Sequence, residues 1–171
     1  MEFKNEKLEQ FNKFASRKKI AIIGLGVSNL PLLEYFYNIS CKISVFDNRT
    51  KNELDNDTRE KIDKYTVEYF GGDNNLQNLK GFDIIFRSPI VMPYREEIKA
   101  EAQRGALVTS EIEMVLKLTP SKVIGITGTE GKTTTTSIIY KIIKKKPPKK
   151  TLPSFGAFCC PPPPKNKKKK K

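Results

Sequence analysis

The sequence predicts an α/β fold built on a parallel sheet, and three observations carry that prediction. Short apolar runs alternate with amphipathic stretches over residues 1–119, the rhythm of βαβ units. The clearest of those runs, Lys19–Ile23 (KIAII), is continuously apolar after its first residue, as a strand buried on both faces requires. It leads directly into Gly24-Leu25-Gly26-Val27-Ser28-Asn29, a glycine loop between a strand and a helical pattern.

Each later element follows from local pattern. Leu30, Leu33 and Tyr37 share one side of a helix whose first turn accommodates Pro31, where a missing N–H costs little. Tyr35, Phe36 and Tyr37 on that helix read as core and rim. Ile43–Phe46 is the second strand and ends at Asp47. The charged stretch Glu53–Lys64 reads as a solvated helix, Thr66–Phe70 as the third strand, and Gly71-Gly72-Asp73-Asn74-Asn75 as a loop. Asp83–Phe86 is the fourth strand and runs into Arg87-Ser88-Pro89. Tyr94–Arg104 is an amphipathic helix that stops at Gly105, with Glu96, Glu97 and Glu101 on its solvated face. Ala106–Val108 is a short apolar stretch, after which Thr109 or Ser110 caps a helix over Glu111–Leu118.

At Thr119-Pro120-Ser121 the pattern restarts. Lys122–Ile126 (KVIGI) predicts another buried strand, followed by Thr127-Gly128-Thr129-Glu130-Gly131-Lys132-Thr133-Thr134 and a helix to about Lys144. The expected organisation is a Rossmann-like domain over residues 1–119 and the opening of a second domain over 120–144. A low-complexity Lys/Pro tail over 145–171 completes it, unstructured or frameshifted.

Charge follows that division. The formal net charge is +13, but 11 of the 32 basic residues lie in residues 144–171, which hold no acid. Residues 1–143 carry 21 basic and 19 acidic groups, so no nucleic-acid partner is expected for the folded part. Cys41 and the adjacent pair Cys159–Cys160 are the three cysteines, and a chain without histidine offers no Cys/His metal spacing. No run reaches the ~18 apolar residues of a membrane span. Met1–Lys19 is charged throughout and lacks the apolar core of a signal peptide. A cytoplasmic, reduced, monomeric protein is expected.

Two loops carry the chemistry. In the first, glycines let the backbone approach a pyrophosphate, and the N-terminus of the following helix offers free N–H groups and partial positive charge. Asp47, 21 residues after Gly26 and at the end of the second strand, stands where a ribose or base contact is expected. The third glycine of the dinucleotide fingerprint is absent, with Asn29 nearest its place. In the second loop, Gly-x-x-Gly-Lys-Thr between a strand and a helix surrounds phosphate oxygens with backbone N–H groups. Lys132 then reaches the β- and γ-phosphates, and the Thr133 hydroxyl ligates Mg²⁺. Gly125 lies one residue too far from Gly131 for the ordinary P-loop spacing, which points to a compact version of that loop.

Thr127-Gly128-Thr129-x-Gly131-Lys132-Thr133-Thr134 resembles the ATP loop of the Mur ligases and the related folylpolyglutamate synthetases. About 120 residues precede the loop here, whereas the folate enzymes begin close to it. Gly24-Leu25-Gly26-Val27-Ser28, Ser88-Pro89 and Thr109-Ser110-Glu111-Ile112-Glu113 resemble the D-glutamate-adding Mur ligases, the likeness covering about Lys18–Lys144. The resemblance implies an ATP- and Mg²⁺-dependent amide ligase that adds D-glutamate to UDP-N-acetylmuramoyl-L-alanine through an acyl phosphate. It places Gly26, Val27, Ser28 and Asn29 at the UDP pyrophosphate and Asp47, Asn48 and Arg49 at the uracil. Gly128, Thr129, Glu130, Gly131, Lys132, Thr133 and Thr134 fall at ATP, with Lys132 as the catalytic cation and Thr133 at the metal.

The chain departs from that pattern in two places. Ile90 follows Ser88-Pro89 where the family has glycine, and the family's histidine and acidic metal ligand have no counterpart here. The 171 residues alone are therefore expected to lack ligase activity. Two other classes compete: an NAD-dependent oxidoreductase using the first loop and Asp47, and a non-enzymatic protein whose basic tail binds RNA. A different Mur-type amide ligase is the third alternative.

Overall fold

The computed structural model describes residues 5–65 and 67–145. The chain divides into two units, Met1–Leu118 and a second that begins at Thr119. The tail expected over 145–171 lies outside the described residues beyond Lys145.

The first unit is a five-stranded parallel sheet: β1 (Lys19–Ile23), β2 (Lys42–Asp47), β3 (Glu68–Gly71), β4 (Ile84–Arg87) and β5 (Leu107–Thr109), in the order β3-β2-β1-β4-β5. Ile20 is aligned with Ile43 and Ile84, and Ile22 with Val45 and Phe86. These six side chains point to one face, where they pack with Leu33, Phe36, Ile62 and Met114. Their sheet neighbours Ala21, Ile23, Phe46 and Ile85 point to the other face and pack with Leu76, Leu79 and Ile98. Burial of both faces explains why these strands read as unbroken apolar runs.

The helices that cover the sheet are α1 (Glu6–Ala15), α2 (Pro31–Asn38), α3 (Asn56–Lys64), α4 (Glu96–Gln103) and α5 (Glu111–Leu118). Helix α1 arises in the N-terminal segment, which is charged throughout and where no element is expected from the sequence. Asn5 caps it by accepting the Leu8 N–H, Phe11 and Ala15 are its buried residues, and the Asn5 side chain ties it to the Leu118 carbonyl.

The stretch expected as one helix from Glu53 is broken. Lys51–Glu53 forms a 3-10 turn closed by a Thr50/Glu53 capping box, buried Leu54 is extended, and Asp55 starts α3 by capping the Thr58 N–H. Two competing caps in succession split the segment. Glu101 differs more sharply, being 1% exposed and not solvated. Its Oε2 accepts the N–H groups of Gly81 (2.7 Å) and Phe82 (3.2 Å), and its Oε1 pairs with Arg104. The turn before β4 exposes two N–H groups with no ladder partner, and the carboxylate satisfies both. Thr66, expected to open the third strand, lies outside the described residues.

In the second unit, α6 (Lys132–Lys145) forms as the sequence predicts. Lys122–Ile126, expected as a strand, does not form one. A strand exists only by pairing, and the described residues of this unit include no other extended segment for it to join.

Candidate nucleotide site at the carboxyl edge of the sheet

The strand order places β1 between β2 and β4, so the chain leaves β1 on one side and returns on the other. The loop after β1 sits at that switch point, beyond the carboxyl ends of the strands, where open parallel sheets bind ligands. Gly24 makes the turn possible. Its φ is +82°, and a Cβ there would stand 2.9 Å from Cβ of Ser88, at the end of β4. No side chain fits between those two strand ends.

Asp47 and Arg49 shape the loop. The Asp47 side chain is buried, and its Oδ2 accepts the Leu25 N–H at 2.7 Å. Its Oδ1 accepts from the Arg49 backbone N–H (3.0 Å) and Nε (2.9 Å). Nη2 of Arg49 donates both to Asp47 Oδ2 (3.0 Å) and to the Leu25 carbonyl (2.8 Å). Both backbone polar groups of Leu25 are thereby fixed by one ion pair. Burial alone would raise the Asp47 carboxyl, but the Arg49 side-chain and backbone hydrogen bonds, the Leu25 N–H and the guanidinium charge together hold it below the usual carboxylate range. The Tyr69 hydroxyl donates to the Arg49 carbonyl at 2.7 Å. Burial first, then the Asp47 charge, push that phenol up to about 12, so it remains a donor.

Asn29 acts within the loop as well. It is 3% exposed, and its Nδ2 donates to the Gly24 carbonyl at 2.8 Å. The N–H groups of Asn29 and Leu30 both turn back onto the Gly26 carbonyl, beginning a helical path that continues into α2. The backbone N–H groups of Gly26, Val27 and Ser28 precede those bonds and have no acceptor among the described residues. All three residues are exposed. Three adjacent exposed N–H groups without acceptors, at the start of a helical path, are donors that an anion can take. Asn48 is exposed beside it at the end of β2, and Ile90 in the β4 loop is 88% exposed.

In the second unit, Gly128 (φ +151°) and Gly131 (φ +74°) bend the backbone around the side chain of Lys132. Its ammonium donates to the Gly128 carbonyl and, at 3.1 Å, to that of Thr129. The Thr135 N–H bonds the Gly131 carbonyl, so the N–H groups of Lys132, Thr133 and Thr134 open the helix without intrahelical partners. Glu130, Thr133 and Thr134 are exposed. A lysine, two hydroxyls and free helix-start N–H groups make a donor set that fits a polyphosphate. A cation there would have the Thr133 hydroxyl and phosphate oxygens to ligate. No cluster of three or more His, Cys, Asp or Glu occurs among the described residues, and Mg²⁺ commonly binds with few protein ligands.

The sequence profile of the Mur ligase MurD-like N-terminal domain matches residues 18–110, more than half of the chain. The chain belongs to the MurD-like Mur ligase family. UDP-N-acetylmuramoylalanine–D-glutamate ligase of Clostridium acetobutylicum is 39% identical over 125 residues, covering 73% of this chain and 27% of that protein. The same-named ligase of Ruminiclostridium cellulolyticum is 41% identical over 130 residues, 76% of this chain and 28% of its own length. This Mur ligase chain thus spans just over a quarter of the curated relatives it matches. Among solved structures, the UDP-N-acetylmuramate:L-alanyl-gamma-D-glutamyl-meso-diaminopimelate ligase from Neisseria meningitides aligns over 75% of this chain and 40% of that one, with 18% identity and a TM-score of 0.45.

Within the MurD-like domain, the structure brings the residues expected at the UDP end together at one sheet edge. It also separates them by task. Gly26, Val27, Ser28 and Asn48 face outward, whereas Asn29 and Asp47 are buried in the loop's own hydrogen bonding. Arg49 spends its donors on Asp47 and Leu25. Ser88 and Asn75 were absent from the residues expected at this site. Ser88 stands against Gly24, and Asn75 donates to Asn48 Oδ1 at 3.1 Å. An asparagine after a glycine pair signals a turn, but nothing in its spacing shows which strand end that turn touches.

Proposed function

We propose that the first unit is the UDP-binding domain of a ligase that joins D-glutamate to UDP-N-acetylmuramoyl-L-alanine. ATP and Mg²⁺ are then taken by Gly128–Thr134 of the second unit. The observation that carries this reading is the row of free N–H groups at Gly26, Val27 and Ser28, held open at the switch point by the Asp47–Arg49 pair. Those donors suit a pyrophosphate, and Asn48 stands one strand away for the base. The relatives' names supply the substrate.

In the second unit, Lys132 would exchange a loop carbonyl for a phosphate oxygen. Thr133 would supply a hydroxyl to the cation, and the N–H groups of Lys132–Thr134 would hold the phosphates in place. Bound ATP supplies the phosphoryl group that activates the substrate carboxylate, and the cationic surroundings lower the cost of its charge. Small-molecule partners, a monomeric state and a cytoplasmic setting belong to the same reading. Among the described residues no helix is long and apolar enough to cross a membrane.

Titration calorimetry of the 171-residue chain with UDP and with NADH tests the first site. UDP binding with no NADH binding is the expected result. NADH binding in its place would return the oxidoreductase reading. D-glutamate-dependent ADP release by the chain alone is not expected, because it spans just over a quarter of its relatives.

A further inference from the structure

Asn75 sits in the turn between β3 and β4 and is 6% exposed. Its side-chain nitrogen has two partners: the Gly72 backbone carbonyl at 2.6 Å and Oδ1 of Asn48 at 3.1 Å. The first partner fixes the orientation of the Asn75 amide. A backbone carbonyl can only accept, so the nitrogen and not the oxygen of Asn75 must face it. The second N–H of the same nitrogen then points at Asn48, and the Asn48 atom that meets it must be an acceptor. The Asn48 amide is therefore set with its oxygen turned inward. Its Nδ2, which has no hydrogen-bond partner among the described residues, turns out into solvent at the carboxyl end of β2.

We infer that Asn75 is a positioning residue that makes exposed Asn48 a dedicated hydrogen-bond donor, reading a carbonyl oxygen at position 4 of a pyrimidine base. This rests on the UDP reading above. Uracil presents an acceptor at position 4, and cytosine presents an amino donor there. A donor whose orientation is locked from behind favours the first and opposes the second. Asp47 and Arg49 do not perform this selection, since their polar groups are engaged with each other and with Leu25. Gly71 keeps the neighbouring backbone close, because a Cβ there would stand 2.6 Å from the Arg49 carbonyl oxygen. The segment carrying Asn75 thus follows directly from a strand end packed on residues 49 and 50.

The test compares UDP and CDP as ligands of the 171-residue chain by titration calorimetry. Parallel titrations use Asn48→Asp, Asn48→Ala and Asn75→Ala. The wild-type chain is expected to prefer UDP by about tenfold or more, the worth of one matched against one mismatched hydrogen bond. Asn48→Asp keeps the inward acceptor for Asn75 but presents oxygen outward, and it should reverse the preference toward CDP. Asn48→Ala should bind both ligands with little preference. Asn75→Ala, which touches no ligand, should lower the UDP preference several-fold by letting Asn48 turn over. A buried turn residue with only a structural role would lower affinity for both ligands alike and leave their ratio unchanged. Circular dichroism on each variant separates loss of fold from loss of selection, and the exposed Asn48 variants report even where Asn75→Ala unfolds. UDP binding with a UDP:CDP ratio unmoved by Asn48→Asp would overturn the donor assignment. No binding of either ligand would remove the UDP reading and this inference with it.

Discussion

Asp47→Asn is the substitution that most directly probes how the first loop is held. The change is nearly isosteric, so packing is preserved and the effect is confined to hydrogen bonding and charge. With its single oxygen kept toward the Arg49 N–H and Nε, the substituted amide would turn its NH₂ toward the Leu25 N–H, which now donates to Asp47 Oδ2 at 2.7 Å. Two donors would then meet at a buried position, and one N–H left without an acceptor costs about 1–3 kcal/mol. The lost ion pair adds little, about 0.5 kcal/mol, because the Arg49 side chain is 45% exposed and screened by solvent.

A loss of about 2–3 kcal/mol is expected near neutral pH. At about 4 °C per kcal/mol for a unit of this size, Tm should fall by roughly 8–12 °C. The dependence on pH follows from the carboxyl's depressed value in the fold. A carboxylate whose folded pKa lies below its unfolded value of about 3.9 stabilises fully above that value, and the contribution is lost as pH falls through the folded pKa. The gap in Tm between wild type and Asp47→Asn should therefore be constant from about pH 6 to 8 and narrow below about pH 4. Calorimetric melts at four or five pH values decide it. A neutral-pH difference under about 2 °C, or a gap that stays constant into acid, would refute the assignment of Asp47 as the brace of the loop.

Other substitutions give further outcomes. Glu101→Ala strips the acceptor from the Gly81 and Phe82 N–H groups at a buried position and should cost about 2–3 kcal/mol, read by urea denaturation. Gly24→Ala combines a positive φ with a 2.9 Å approach to Ser88 and should destabilise by about 2 kcal/mol or more. Gly26→Ala, where nothing lies within 4 Å of the new methyl group, should leave the melt within about 1 kcal/mol of wild type. Lys132→Ala should abolish ATP-dependent fluorescence changes of a nucleotide analogue while leaving UDP titrations of the chain unchanged, because the two loops belong to separate units.

The central strands were legible because burial on both faces removes alternation and leaves Ile20–Ile23, Val45–Phe46 and Ile84–Phe86 as plain apolar runs. The cap at Ser110 was legible too, and Ser110 is the residue that accepts the Glu113 N–H. What escaped were elements whose signal is a few residues against a charged background. Helix α1 hides its Phe11 and Ala15 among lysines and glutamates, although Asn5 followed by Glu6 and Glu9 is a readable helix start. Glu101 escaped for another reason. Its partners are N–H groups 19 and 20 residues away, and no periodicity registers a carboxylate serving a distant turn. At the site, spacing after the glycine loop pointed to Asp47 as a ligand contact, and the family resemblance added Arg49. Their geometry ties them to each other, a distinction that depends on side-chain direction and not on spacing.

The strand order also bears on how such a chain comes off the ribosome. The loop Gly24–Asn29 is made early, yet β1 lacks its second neighbour until β4 has been synthesised, with Lys19 meeting Asp83 and Ile23 aligned with Arg87. Until then one edge of β1 carries unpaired backbone groups and Ser88 is not yet there to stand against Gly24. A nascent chain halted before about residue 88 would therefore present an open, sticky strand and a Gly24 loop without its packing partner. Sequence-distant pairing of this kind slows closure and lengthens the exposure to aggregation or chaperone capture.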